Sequence, residues 1–186
     1  MLNRTGSRIC RSCSAIHHDG STTRRSVLVL GAATITISML QSRAAIPASG
    51  NYEAMVLTCI DPRIQEPVHD YLAKNHLTGQ FSQFVIAGAA IGVISPAFAD
   101  WHKTFWDNLG VSVELHHIKK VIAIDHRDCG AAKIAYGDAK VASATVETET
   151  HRVAMNEFRR QVSERQPKLA VETVLMALDG SITTIR

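Results

Sequence analysis

Val121-Ile122-Ala123-Ile124-Asp125-His126-Arg127-Asp128-Cys129-Gly130 decides how this chain is read. The apolar run at its start has the length and β-branched content of a strand buried on both faces. His126 closes that strand, and Cys129 opens a helix that runs to Tyr136 and stops at Gly137. A second stretch has the same build: the run Ala54-Met55-Val56-Leu57-Thr58 leads into Cys59-Ile60-Asp61-Pro62-Arg63. Strand followed by helix, repeated along the chain, predicts an α/β domain around a parallel sheet of about four strands flanked by helices.

The remaining elements follow by periodicity. Residues 54–59 form the first strand, and residues 66–77 a helix with Val68, Leu72 and Ala73 on one face. Phe81 to Ala87 is the second strand, followed by a glycine-bounded turn over Gly88-Ala89-Ala90-Ile91-Gly92. Ser95-Pro96 starts a helix in which Phe98, Trp101, Phe105 and Leu109 recur at helical spacing and Gly110 is the stop. A short helix over 111–119 precedes the strand 121–126. Residues 141–164 read as an amphipathic helix with Val146, Val153, Phe158 and Val162 turned inward. Residues 169–178 are the last strand, before an Asp179-Gly180 turn.

The chain has 186 residues, 46% apolar and 20% charged, enough for one domain with a real core. Its formal charge of +3 comes largely from Arg4, Arg8, Arg11, Arg24, Arg25 and Arg43, against which only Asp19 stands in the first 45 residues. The remainder carries no basic footprint for nucleic acid. Residues 1–48 read as an export signal and linker, and 49–186 as the domain. In the leader, Thr23-Arg24-Arg25-Ser26-Val27-Leu28 resembles a twin-arginine signal, ahead of the modest apolar stretch Val27–Leu40. That stretch is shorter than the roughly 20 residues a helix needs to span a bilayer. Ser42-Arg43-Ala44 and Ala48 offer cleavage points. The expectation is an exported protein, periplasmic or extracellular, with no stable membrane span after processing. Cys10-x-x-Cys13 lies in this leader and has no second pair.

The remaining cysteines, Cys59 and Cys129, join His126 and Asp61 to make two thiols, an imidazole and a carboxylate, a full tetrahedral set for zinc. Both motifs lie beyond the carboxyl ends of strands, where parallel sheets place their ligands. If the chain stays extended, Cys59, Asp61 and Arg63 share a side, and Pro62 biases Asp61 toward that geometry. Arg63 is then placed to grip Asp61 through both carboxylate oxygens. The helix start at Cys129 favours a thiolate, and Gly130 lets the backbone pack close. With water as fourth ligand the site is open; with Asp61 as fourth ligand it is closed. Asp61 can accept a hydrogen bond from zinc-bound hydroxide and aim its lone pair, which is the work of a hydration enzyme. In an oxidising compartment, a Cys59–Cys129 disulfide or two inert core cysteines are the competing readings.

Other candidates are weaker. His116-His117 beside Lys119-Lys120 suit a solvated helix face better than a proton shuttle. His69, His76, His102 and His151 read as surface or capping residues. Trp101, Phe105 and Trp106 fit core or subunit packing better than a pocket wall. Gly88 and Gly92 match no phosphate-binding pattern.

Over residues 54–63 and 111–136, the chain resembles the β-class carbonic anhydrases. Ser112-Val113-Glu114-Leu115 leads there through a strand into Asp125-His126-Arg127-Asp128-Cys129-Gly130-Ala131-Ala132. The resemblance implies an α/β fold around four central parallel strands, assembly as a homodimer or higher oligomer, and Zn2+ held by Cys59, His126 and Cys129. It implies an Asp61–Arg63 dyad that orients water or releases Asp61 onto the metal, and reversible hydration of carbon dioxide to bicarbonate. Hydrolysis of carbonyl sulfide or carbon disulfide on the same centre is the alternative within enzymes. A non-catalytic zinc-binding or disulfide-stapled domain is the alternative outside them. Two departures stand out. Pro62 occupies the position where the family usually has Ser, and Ile86-Ala87-Gly88-Ala89-Ala90 stands where an Arg-Asn-Ala-Gly-Asn stretch is common.

Overall fold

Strand β1 (Ala54–Thr58) is buried along its whole length, and β3 (Lys120–His126) is buried from Val121 onward. Both are near-continuous apolar runs because both lie in the interior of the sheet, where each face is covered. In the computed structural model, which describes residues 49–185, they pair in parallel with Thr58 opposite Ile124. The export-leader reading falls outside the described residues.

The sheet has five strands in the order β2-β1-β3-β4-β5, with β2 spanning Phe81–Val85, β4 Ala170–Met176 and β5 Ile182–Thr184. The first four are mutually parallel, as the sequence predicts. The fifth is a short antiparallel addition to β4, closed by the expected Asp179-Gly180 turn. Its exposed three residues carry no apolar alternation, which is why no strand is foreseen there.

Among the described residues, five α-helices connect or cover the strands: α1 (Gln65–Lys74), α2 (Ala90–Ile94), α3 (Ala99–His116), α4 (Gly130–Tyr136) and α5 (Ala144–Arg165). Phe105 of α3 and Phe158 of α5 are fully buried, with ring centroids 5.8 Å apart, and Phe84 of β2 meets Phe105 edge-on at 5.4 Å. No helix among the described residues is long and apolar enough to cross a membrane.

Three local expectations change. Gly110 does not end α3, which continues to His116 in place of a separate helix over 111–119. A helical glycine costs only about 1 kcal/mol, and Leu109 and Ser112, buried on either side, hold the helix through it. The turn over 88–92 is a tight bend at Gly88 and Ala89, both at positive φ, followed at once by α2. On α5, Val146 and Val153 are 38% and 57% exposed. The buried stripe is instead Glu147, His151, Ala154, Met155, Phe158 and Val162. Its first two members are polar and paired, so a search for apolar spacing passes over them.

Candidate metal centre

β1 ends at Thr58, which delivers Cys59 to the carboxyl edge of the sheet, and β3 delivers His126 to the same edge. Cys129 caps α4 with an extended backbone (φ −81°, ψ 117°). The three side chains are buried, and their donor atoms lie within 4.8 Å of one another. Both cysteines are free, so the structure holds thiols here and not a disulfide.

His126 shows what the cluster is suited to. Its Nδ1 lies 2.9 Å from the Arg127 carbonyl oxygen. A carbonyl only accepts, so Nδ1 carries the proton and Nε2 presents a lone pair. That Nε2 is buried and has no hydrogen-bond partner. An orphaned lone pair beside two thiols is costly unless something electrophilic fills the space between them. The donor set of two sulfurs and a nitrogen fits a zinc ion, with the remaining ring nitrogen fixed by the backbone as metal-binding histidines require.

The charges agree. Interaction with the Cys129 thiol, against burial, pulls the Cys59 thiol down to about 4, and the same interaction pushes Cys129 up. The opposed directions favour one thiolate sharing the other thiol's proton, a proton that a metal would displace. Gly88 N–H donates to the Cys59 sulfur at 3.2 Å, further favouring the thiolate. Burial, the largest single influence, opposes a charged His126, but the Cys59 sulfur, the Arg127 carbonyl and the Asp61 carboxylate together raise the imidazole above its ordinary value.

Asp61 and Arg63 come together, though not along an extended strand. Asp61 is extended before Pro62 (ψ 123°), as expected, but Pro62–Ile64 then form a 3-10 turn capped by the Asp61 carboxylate. The turn folds Arg63 back. Its Nη2 donates to Asp61 Oδ2 at 2.7 Å, its Nε to Oδ1 at 3.0 Å, and its backbone N–H to Oδ1 at 2.9 Å. The Arg63 hydrogen bonds hold the Asp61 carboxyl down at about 2. Asp61 Oδ2 stands 3.9 Å from His126 Nε2, beside the donor set but gripped from outside it.

Beside Cys59 and Asp61, both in its lining, lies a cavity of about 360 Å³. Its walls include Ile60, Pro62, Ala87, Phe98, Trp101 and Ile134. Trp101 is therefore a wall residue, stacked on Phe98 at 4.5 Å, whereas Phe105 and Trp106 pack inward as expected. Gly130 also lines the cavity, and a Cβ built there meets nothing within 4 Å, so it leaves room and does not serve close packing. Close packing belongs to Gly88 and Gly92: a Cβ would come within 2.9 Å of the Ala131 Cβ at the first and 2.2 Å of the Ala87 carbonyl oxygen at the second.

The apolar 86–91 segment serves the site through its backbone. Gly88 N–H reaches Cys59, and Ala90 N–H reaches Asp125 Oδ1 at 2.9 Å. The second oxygen of Asp125 meets His151, which is fully buried and not a surface or capping residue. His69 and His76 are exposed, and His102 pairs with the Ser95 carbonyl oxygen. His116 pairs with Ser82 Oγ at 2.6 Å and its carbonyl receives Tyr52 N–H. It lies near the start of β1, at the end of the sheet away from the cysteines.

Residues 49–186 match the model of a family described as "Putative carbonic anhydrase". An uncharacterized protein of Rickettsia bellii is 31% identical over 131 residues, spanning 70% of this chain and 80% of that one. Another, from Rickettsia conorii, is 32% identical over 131 residues and 70% of each chain. Among solved structures, a carbonic anhydrase from Streptococcus mutans superposes with a TM-score of 0.54 at 15% identity, covering 77% of this chain and 87% of that one. A β-carbonic anhydrase from Trichomonas vaginalis gives 0.50 at 15% identity, covering 76% and 86%. These likenesses are of fold. With the family match over the domain that carries Cys59, His126 and Cys129, the chain belongs to the carbonic anhydrase family so described, as a divergent member with the β-class fold.

Proposed function

We propose that this protein interconverts carbon dioxide and bicarbonate, with zinc held by Cys59, His126 and Cys129 and with Asp61 and Arg63 as the catalytic dyad. The observation that carries this reading is the buried, unpartnered His126 Nε2 facing two thiols, next to a carboxylate that an arginine keeps ionised. When bound, zinc would supply Lewis acidity and make water a nucleophile near neutral pH, helped by the residues around it.

The chain's own residues do the rest. Asp61 stays an acceptor throughout the neutral range, so its carboxylate takes a hydrogen bond from the attacking water and turns the oxygen lone pair toward the substrate carbon. Arg63 fixes the orientation of that carboxylate. The apolar walls at Ala87, Phe98 and Trp101 suit a small uncharged linear molecule. Bicarbonate, being charged, gains nothing from those walls and leaves for solvent, and the proton passes to buffer.

Stopped-flow hydration assays with metal analysis test this. We expect one zinc per chain and activity in the wild type, with both lost in Cys59→Ser. Zinc without hydration in the wild type would sink the reaction. The same walls favour carbonyl sulfide or carbon disulfide as a second reading, since Ala87 and Phe98 offer no side-chain donor for a bicarbonate oxygen and only the Trp101 indole could; sulfide release would identify it.

The mouth of the cavity supports assembly as a homodimer or larger oligomer, because Ile60, Trp101 and Ile134 remain 60%, 38% and 73% exposed beside it. We further propose that the leader, with Arg24 and Arg25, directs export to the periplasm or beyond.

A further inference from the structure

Asp128 stands between two of the metal-ligating residues, yet it belongs neither to the donor set nor to the Asp61–Arg63 dyad. Its Oδ2 accepts from Arg63 Nη1 at 2.7 Å, and its backbone carbonyl accepts from Arg63 Nη2 at 3.0 Å. One edge of the guanidinium, through Nε and Nη2, lies on Asp61. The other end lies on Asp128. A guanidinium is a rigid fork, so fixing Nη1 and Nη2 from outside also fixes how Nε and Nη2 meet Asp61.

Asp128 is itself held in place. Its backbone is left-handed (φ 57°), a region that short polar side chains tolerate. Its N–H donates to Glu147 Oε1 at 2.6 Å. Glu147 is buried on α5, and its other oxygen accepts from Arg127 Nη1 at 3.2 Å. Arg127 Nη2 in turn donates to Thr148 Oγ1 at 2.8 Å. Helix α5 thus fixes the loop between His126 and Cys129, and the loop fixes Arg63.

We propose that Asp128 is a positioning residue: it clamps Arg63 onto Asp61 and so keeps the Asp61 carboxylate off the metal. The inference rests on the zinc reading above. Asp61 Oδ2 is only 3.9 Å from His126 Nε2, so a loosened Arg63 frees an anionic oxygen that already borders the three donors. Loss of the clamp therefore tightens metal binding while it impairs the reaction. A residue that merely supports the fold would do the reverse to the metal.

The test is zinc affinity, read by competition with a chromophoric chelator, in Asp128→Gly and Asp128→Asn. Gly keeps the left-handed backbone and removes the carboxylate; Asn keeps the shape and removes the charge. The Arg63–Asp128 pair is exposed, so the expected gain in affinity is about two- to fivefold. Asp61→Asn in the same background should erase it. Where hydration is measurable, kcat should fall with KM little changed, and Asp128→Glu should recover part of it. In the cobalt-substituted protein, the visible spectrum should change in Asp128→Gly and return in the Asp61→Asn double variant. Unchanged or weaker zinc binding in both Asp128 variants, or a gain that survives Asp61→Asn, would overturn the clamp alone. Absence of zinc binding in the wild type would instead overturn the zinc reading and the clamp with it.

Discussion

His151 Nδ1 lies 2.9 Å from Asp125 Oδ2, and neither residue reaches solvent. The contact joins the middle of α5 to the end of β3, one residue before His126. Ala90 N–H takes the other Asp125 oxygen, so a single carboxylate gathers three elements behind the Cys59, His126 and Cys129 cluster. His151→Ala strips one of those partners from a buried carboxylate. The expected loss is about 3 kcal/mol of folding stability, read as a lower urea midpoint with an unchanged m-value. A loss within error would mean that water replaces the imidazole at no cost.

Arg63→Ala should change the acid limb of stability. Arg63 hydrogen bonds lower the folded-state carboxyl of Asp61 from 3.8 to about 2. A group depressed in this way stabilises the fold fully above its unfolded value and loses that contribution as pH falls through the folded one. The window is therefore about pH 4 down to about 2, with stability falling as acid is added. In metal-free protein, carboxyl NMR should place the Asp61 midpoint near 2 in the wild type and close to 3.8 in Arg63→Ala. Coincident titrations would show that the hydrogen bonds do not hold in solution.

Ala89 combines φ 46° with ψ −113° and is wholly buried. Such a backbone is suited to glycine and costs an L-residue about 1–2 kcal/mol, against roughly 0.5–1 kcal/mol of extra chain entropy lost by glycine. Ala89→Gly should therefore stabilise the domain by up to about 1 kcal/mol, seen as a rise in Tm. A fall would show that the methyl group is needed in the core.

Ile134→Glu places a charge at the mouth of the cavity, on a side chain that touches little of its own domain. If this face joins copies of the chain, light scattering should show a smaller species for the variant with its fold intact. An unchanged mass would put the interface elsewhere.

Arg24→Lys together with Arg25→Lys should retain the protein inside the cell if the leader is read by a twin-arginine receptor. Fractionation against an otherwise identical wild type decides the matter, and undiminished export would refute that route.

Much of this centre is legible in one dimension. Apolar runs as dense as Val121–Ile124 signal interior parallel strands, and chemistry placed just past such runs meets at one edge of a sheet. Cys59, His126 and Cys129 follow from that rule. The Asp61–Arg63 contact follows too, although a 3-10 turn makes it where an extended chain was expected. What stays hidden depends on partners distant in sequence. Asp125, Glu147 and His151 are polar residues that are buried because they meet one another's elements, and no local spacing announces that. The one available signal was on α5, where Glu147 and His151 fall on the same face as Ala154, Phe158 and Val162. Gly110 misleads for the opposite reason, since packing on both sides of it outweighs its weak preference against helix.

Cys59 follows β1, and His126 and Cys129 lie at and just beyond the end of β3; these adjacent strands are ones the chain visits before and after building the outer strand β2. An ion shared between them would act as a removable cross-link closing a long loop through the centre of the sheet. Chelation should therefore speed amide exchange most at Val56, Leu57, Ile122 and Ile124, and least along β5. Such a protein would give up stability with its metal, because the ion would tie together the two strands that the rest of the fold is wrapped around.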